Sequence, residues 1–327
     1  MISPGGSSIA GRAAATSIRL APATEADVAV CAGIWRDSLN DYMGRLGLPE
    51  IPSEMGPIRR LHDHLFATDP ERFWVAREAE GPDAAEPIAF GAATRRETVW
   101  FLSMLFVRPG HQGRGIGSRI LSRLLPEDGA VLATGTDSAQ PISNGLYAAH
   151  GMVPRMPLLS LIGRPERRDA LPELPSGVVA IPFDTIAEAS GGTGHRRLVD
   201  AVDAVDRELA GFSHPADHRF LRIEGRHGFL YEGPAGETLG YGYASEVGRI
   251  GPVAIRDEAL LPSVLGHLLG AVEPRGASAV WVPGDAGDAV IALLRAGLRL
   301  DGFPVLLCWS RPFADFRRYL PISPGLL

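Results

Sequence analysis

The chain has 327 residues and a formal charge of −6, and all 32 of its Lys+Arg residues are arginine. The absence of lysine excludes Schiff-base aldolases, pyridoxal-phosphate enzymes, Walker-type P-loop NTPases and protein kinases, each of which needs that side chain at the reacting centre. The mild acidity argues against a nucleic-acid partner, and the length, at roughly 150 residues per domain, predicts about two domains.

Residues 1–16 are rich in Gly, Ser and Ala, lack the apolar core of a secretory signal, and are read as a disordered lead-in. Ser17 to Leu20 alternates as a short strand. Thr24, Glu25 and Asp27 mark a helix start, and the helix is expected to run to about Tyr42. After a Gly- and Pro-containing stretch, Ile58 to Phe66 resumes helical spacing. Arg72 to Arg77 and Pro87 to Ala93 read as strands around a turn at Gly81-Pro82-Asp83. Val99 to Val107 is almost wholly apolar, as expected of a central strand buried on both faces. A glycine-rich loop follows, then a helix over Ser118 to Leu125, with Ile120, Leu121, Leu124 and Leu125 on one face. A strand (Ala130 to Thr134), a helix (about Ile142 to His150) and a last strand (Pro157 to Ile162) complete the first half.

Residues 165–175 carry three prolines and the charge cluster Glu166-Arg167-Arg168-Asp169, as a linker would. The chain then repeats. Gly151, Pro157 and Arg164-Pro165 in the first half match Gly297, Pro304 and Arg311-Pro312 in the second, with six residues between Pro and Arg-Pro in both. This predicts a duplicated domain, with halves at 17–164 and 176–327. Cys31 and Cys308 are far apart and in apolar company. They are read as small core residues, consistent with a reducing cytoplasm. No stretch reaches the roughly 18 apolar residues of a membrane span, so no membrane partner is expected.

The chemistry is concentrated in Arg108-Pro109-Gly110-His111-Gln112-Gly113-Arg114-Gly115-Ile116-Gly117. A buried strand ends, glycines let the backbone approach a ligand, and a helix begins with its N–H groups aimed into the loop. That arrangement is an anion cradle suited to a pyrophosphate. Arg114 adds charge without a lysine. A dinucleotide fingerprint fits poorly, because the third glycine is misplaced and no acidic residue ends a second strand at the expected distance.

The pattern Val107-x-Pro109-x-x-Gln112-Gly113-x-Gly115-x-Gly117 resembles motif A of the GNAT superfamily, the GCN5-related N-acetyltransferases, whose pattern is Gln/Arg-x-x-Gly-x-Gly/Ala. The resemblance covers Ser17 to Gly163. It implies an α/β fold of the mixed-sheet, α+β type, with helices flanking a central sheet. Joined to the repeat, it implies two tandem domains of this kind, the N-terminal one intact and the C-terminal one degenerate. It further implies acetyl-CoA as cosubstrate, with its pyrophosphate held by Gln112, Gly113, Arg114, Gly115, Ile116, Gly117 and Ser118. Leu105, Phe106 and Val107 would lend main-chain groups to the pantetheine arm.

The family's Asn, Tyr and Gly landmarks fall at Gln140, Tyr147 and Gly151, with Asn144 one helical turn before the tyrosine. By resemblance, Tyr147 would protonate the departing thiolate. The base is open: where many relatives carry a carboxylate, this chain has Phe101, and Glu97 or Ser103 acting through water are the candidates. His62 and His64 could face the acceptor but read more simply as solvated, and His111 as a solvent-facing neighbour of the cofactor. No metal is implied. The acceptor is expected to be a small-molecule amine, and the assembly a monomer or homodimer. A non-catalytic acyl-CoA-binding sensor or scaffold is the alternative, and nucleotidyl or NAD chemistry a distant third. In the second half, Gly251 to Leu260 lacks the glycine-rich turn, Asp257 and Glu258 bring negative charge to its place, and Leu293 stands where Tyr147 should.

Overall fold

The computed structural model describes residues 17–79, 86–188 and 193–327; the lead-in and the turn at 81–83 lie outside them. The first half runs β1 (Ile18–Pro22), α1 (Glu25–Arg45), α2 (Gly56–Thr68), β2 (Phe73–Glu78), β3 (Ala89–Arg96), β4 (Val99–Val107), α3 (Ile116–Leu124), β5 (Val131–Asp137), α4 (Pro141–Ala149) and β6 (Val153–Gly163). The second runs β7 (Val179–Pro182), α5 (Phe183–Glu188), α6 (Thr193–Leu209), α7 (Pro215–Ile223), β8 (Arg226–Glu232), β9 (Thr238–Ser245), β10 (Arg249–Ile255), α8 (Leu261–Ala271), β11 (Ser278–Pro283), α9 (Gly287–Ala296), the two-residue β12 (Arg299–Leu300), β13 (Val305–Trp309) and β14 (Tyr319–Leu320).

Local chemistry sets the ends of these elements. At the start of α1 the Asp27 carboxylate accepts from the Thr24 N–H at 2.8 Å, satisfying one of the amides a helix start leaves open. Arg77 of β2 pairs with the same carboxylate. Burial opposes its ionisation, but the Thr24 amide and Arg77 outweigh burial and hold it below the usual carboxylate range. Cys31 and Cys308 are both fully buried free thiols.

The principal strands form one mixed sheet in the order β1-β2-β3-β4-β5-β13-β6-β11-β10-β9-β8-β7, with β12 beside β6 and β14 beside β10. The last strand of each half has changed places. β13, from the second half, lies antiparallel between β5 and β6, while β6 reaches across to β11. The two strands that carry the repeat's matched landmarks are thus direct neighbours, with Leu306 opposite Pro157. Sequence halves and sheet halves therefore differ by one exchanged strand.

The core follows the same logic. A single apolar cluster joins Val28, Phe90 and Met104 of the first half to Val205, Tyr241 and Tyr319 of the second. Residues Ile322, Leu326 and Leu327 return across the seam and enter that cluster. Among the described residues, no helix is long and apolar enough to cross a membrane.

Candidate functional site

Between β4 and β5 the parallel pairing runs from Val99 and Val131 to Leu102 and Thr134. The Thr134 hydroxyl closes its end on the Leu102 carbonyl at 3.0 Å. Immediately beyond, the β3–β4 register slips between Ala92 and Ala93, which leaves Ser103 as the extra residue of a bulge. From here a cleft of about 440 Å³ opens between the ends of β4 and β5, under α1, α3 and α4. Ser103 is among the residues that line it, and its hydroxyl oxygen is buried without a hydrogen-bond partner among the described residues.

The glycine-rich loop forms one wall. Gly113 and Gly115 have φ of +75° and +72°, a left-handed conformation that disfavours a side chain. A Cβ at Gly115 would meet no atom within 4 Å, so the backbone is bared toward open space. Gly115 caps α3, whose unpaired amides and positive dipole end face the loop. The Gln112 Nε2 donates to the Val107 carbonyl at 3.0 Å, and the Ser38 hydroxyl donates to the same oxygen, also at 3.0 Å. That carbonyl is already doubly engaged within the protein.

Most of the residues suggested by sequence converge here. Ser103, Leu105, Phe106, Val107, Gln112, Gly113, Gly115, Ile116, Gly117, Ser118, Gln140 and Tyr147 all line the cleft, as does His111. Three do not. Arg114 turns toward Glu78, 3.9 Å away. Asn144 donates to the carbonyls of Asp137 and Gln140 at 3.0 and 2.9 Å, closing the turn between β5 and α4. Glu97 occupies the β3–β4 turn with φ +47° and pairs with Arg207 at 2.8 Å. It stands six positions before Ser103, about 20 Å along an extended chain, so Glu97 is removed as a base candidate.

The histidines of α2 are not solvated either. His62 is fully buried, edge-on to Phe90. His64 is bonded to Asp217 of the second half at 2.6 Å and stacked on Phe220.

Tyr147 is buried, and desolvation pushes its phenol well above the ordinary value. It therefore stays protonated and available as a donor. Sequence reasoning missed the cleft's other wall: Ser38, Leu39, Tyr42 and Arg45 of α1, and Gly135, Thr136 and Asp137 of β5. Burial, and then the neighbouring Asp137 carboxylate, push the Tyr42 phenol upward as well. Asp137 is the one carboxylate among the residues that line the cleft. The only signal for it in the chain was its place at the end of a strand, just before a helix.

Among its described residues, the second half offers no counterpart to the loop. A short turn separates β10 from α8, and there the Asp257 side chain accepts from the Ala259 N–H at 3.0 Å. Its own carboxylate thus occupies an amide that an external anion would need. Leu293 is fully buried.

Residues 35–152 match the model of the acetyltransferase (GNAT) family. No functionally curated protein matches the sequence. Solved structures align along nearly the whole chain at low identity. A candidate acetyltransferase from Pyrococcus horikoshii has 16% identity and a TM-score of 0.70, covering 95% of this chain and 96% of its own. A GCN5-related N-acetyltransferase from Sphaerobacter thermophilus has 16% identity and a TM-score of 0.58, covering 92% and 98%. A tandem GNAT protein from the clavulanic acid biosynthesis pathway has 15% identity and a TM-score of 0.54, covering 90% and 99%. The first half carries a GNAT-family domain, of the acyltransferase class, and the whole chain has the tandem GNAT fold.

Proposed function

We propose that the cleft binds acetyl-CoA and that the protein is an N-acetyltransferase acting on a small primary amine. The observation that carries this reading is the alignment, in one cleft, of the bared Gly113–Gly115 backbone, the β4–β5 splay and the buried Tyr147 hydroxyl. The pyrophosphate would lie on the loop amides and the N-terminus of α3, so that no lysine is needed. Gln140 and Ser118 would border the cofactor, and the thioester would reach the splay.

There the neutral amine attacks the thioester carbonyl directly. Two reactants held in one cleft need no covalent enzyme intermediate. Main-chain N–H groups of the bulge at Ser103 would face the developing oxyanion. Tyr147, which lines the cleft, would protonate the departing thiolate. The amine's proton would pass to water in the cleft. Neither buried thiol takes part. The second half would supply structure: β13 pairs with β5 along Ala133 to Asp137, and the Pro324 carbonyl is close enough to Gly135 that a Cβ there would lie 2.7 Å from it.

The test is release of free CoA thiol from acetyl-CoA over a panel of primary amines. Turnover with at least one amine is expected, and Tyr147→Phe should lower kcat by about 10²-fold or more with little change in acetyl-CoA affinity. An unchanged kcat would remove the acid role, and no turnover with any amine would favour the non-catalytic acyl-CoA sensor.

A further inference from the structure

The loop before α7 and the first turn of that helix bring two histidines, four residues apart, to one side of the segment. There they meet the end of α6. Asp206 Oδ2 lies 3.2 Å from His214 Nε2 and 2.8 Å from His218 Nε2. One ligand atom from each of the three residues falls within 4.8 Å of the others, and all three residues are buried. We propose that Asp206, His214 and His218 bind a first-row divalent metal ion, with Zn²⁺ as the reference occupant. The site lies in the half that lacks the glycine-rich loop, and it does not rest on the acetyltransferase reading.

Two observations support it. The first is the outer shell, since Asp206 and His218 are each gripped by the far atom, as metal ligands are when a protein fixes their orientation. His218 Nδ1 lies 2.9 Å from the Tyr243 hydroxyl, His214 Nδ1 lies 3.6 Å from Asp217 Oδ2, and the Tyr241 hydroxyl donates to Asp206 Oδ1. Asp217 is itself anchored by Arg96 at 2.7 and 2.8 Å and by His64 at 2.6 Å.

The second is His214 itself. It is fully buried, yet neither ring nitrogen completes a hydrogen bond of acceptable geometry among the described residues. An unmade bond on a buried polar group is costly, and an ion bound at Nε2 would satisfy it.

Two imidazoles and one carboxylate suit zinc, cobalt, nickel or ferrous iron better than magnesium or calcium. Three protein ligands leave a coordination position open. Asp206 and His218 line a separate cleft of about 660 Å³ between α5, α6, α7 and β8, which gives the ion a path from solvent. The competing occupant of the same space is a proton. Burial lowers the His214 pKa, but Asp206 and Asp217 carry it up to about 10 when no ion is present.

The full chain, stripped with a chelator and dialysed, should take up one Zn²⁺ per molecule by calorimetry, and His218→Gln should lose that equivalent. X-ray absorption of the zinc-loaded wild-type protein should show two imidazoles in the metal shell, a result independent of whether the variant folds. The proposal is overturned by absence of stoichiometric Zn²⁺ uptake, which is the outcome if a proton alone occupies the cluster. Fewer than two imidazoles in the shell, or undiminished binding by folded His218→Gln, would overturn it equally.

Discussion

His62 sits inside the first half with its ring 5.1 Å from that of Phe90, and neither of its nitrogens has a hydrogen-bond partner among the described residues. Burial pushes its pKa from 6.5 down to about 4. Above pH 6.5 the ring is neutral in both folded and unfolded chains. Below that, the unfolded chain takes up a proton that the folded one refuses until about pH 4, so stability falls with pH through this window. The loss attributable to this one group is about 3 kcal/mol at the acid end. His62→Leu should flatten the urea-midpoint profile between pH 6.5 and 4 by that order; an unaltered profile would place the acid sensitivity elsewhere. Sequence could not show this. His62 and His64 are two residues apart on α2 and so point to different sides. Both are nonetheless buried, because the aromatic face of the sheet covers one and Phe220 of α7 covers the other. A helix enclosed on two sides does not look amphipathic in the expected way.

At the scale of elements, β4 and the loop after it were legible because their constraints are local. A strand covered on both faces needs an unbroken apolar run, and the run Val99 to Val107 matches the observed strand. A left-handed backbone at the mouth of a helix needs glycine, and Gly113 and Gly115 supply it. The opposite wall of the cleft was illegible, since Tyr42 and Asp137 meet only after α1 has packed over the sheet. The same holds for the contact between β3 and α7. There Arg96 grips Asp217 through two nitrogens and Asp69 through a third interaction at 2.8 Å, joining residues 121 positions apart. Both carboxylates are buried. Removing the guanidinium would leave Asp217 only His64 and its neighbouring histidine, and Asp69 only Arg72 and the Arg95 amide, and for a broken buried pair the cost is about 3–5 kcal/mol. Arg96→Met should therefore lower the chemical-denaturation free energy by that amount, whereas a change under about 1 kcal/mol would show that the network is not structural.

At the scale of the molecule, the repeat in the sequence is real as an order of elements but does not mark two independent bodies. The one sheet takes β13 of the second half between β5 and β6 and carries β6 across to β11, and one apolar cluster joins both halves. Matched landmarks revealed the duplication; nothing in them could reveal the exchange, because a strand's own pattern does not say which neighbour it pairs with. Residues 17–164 and 176–327 expressed separately should each fail to give a cooperative thermal transition, and co-expression should restore one. A cooperative transition in either half alone would contradict the shared core. The two halves also meet through β13, which pairs with β5 beside the cleft.

In the proposed function, the lysine-free loop from Gln112 to Gly117 binds the pyrophosphate of acetyl-CoA through its backbone. Isothermal titration of acetyl-CoA into the wild-type protein and into Gly115→Asp tests it most directly. The substitution sets a carboxylate on a left-handed residue whose Cβ position opens onto empty space, so repulsion, strain and occlusion all act on the ligand. One equivalent of acetyl-CoA bound by the wild type, weakened by about 100-fold or more in a folded Gly115→Asp protein, is the predicted result. No binding by the wild type, or equal binding by both, would contradict it.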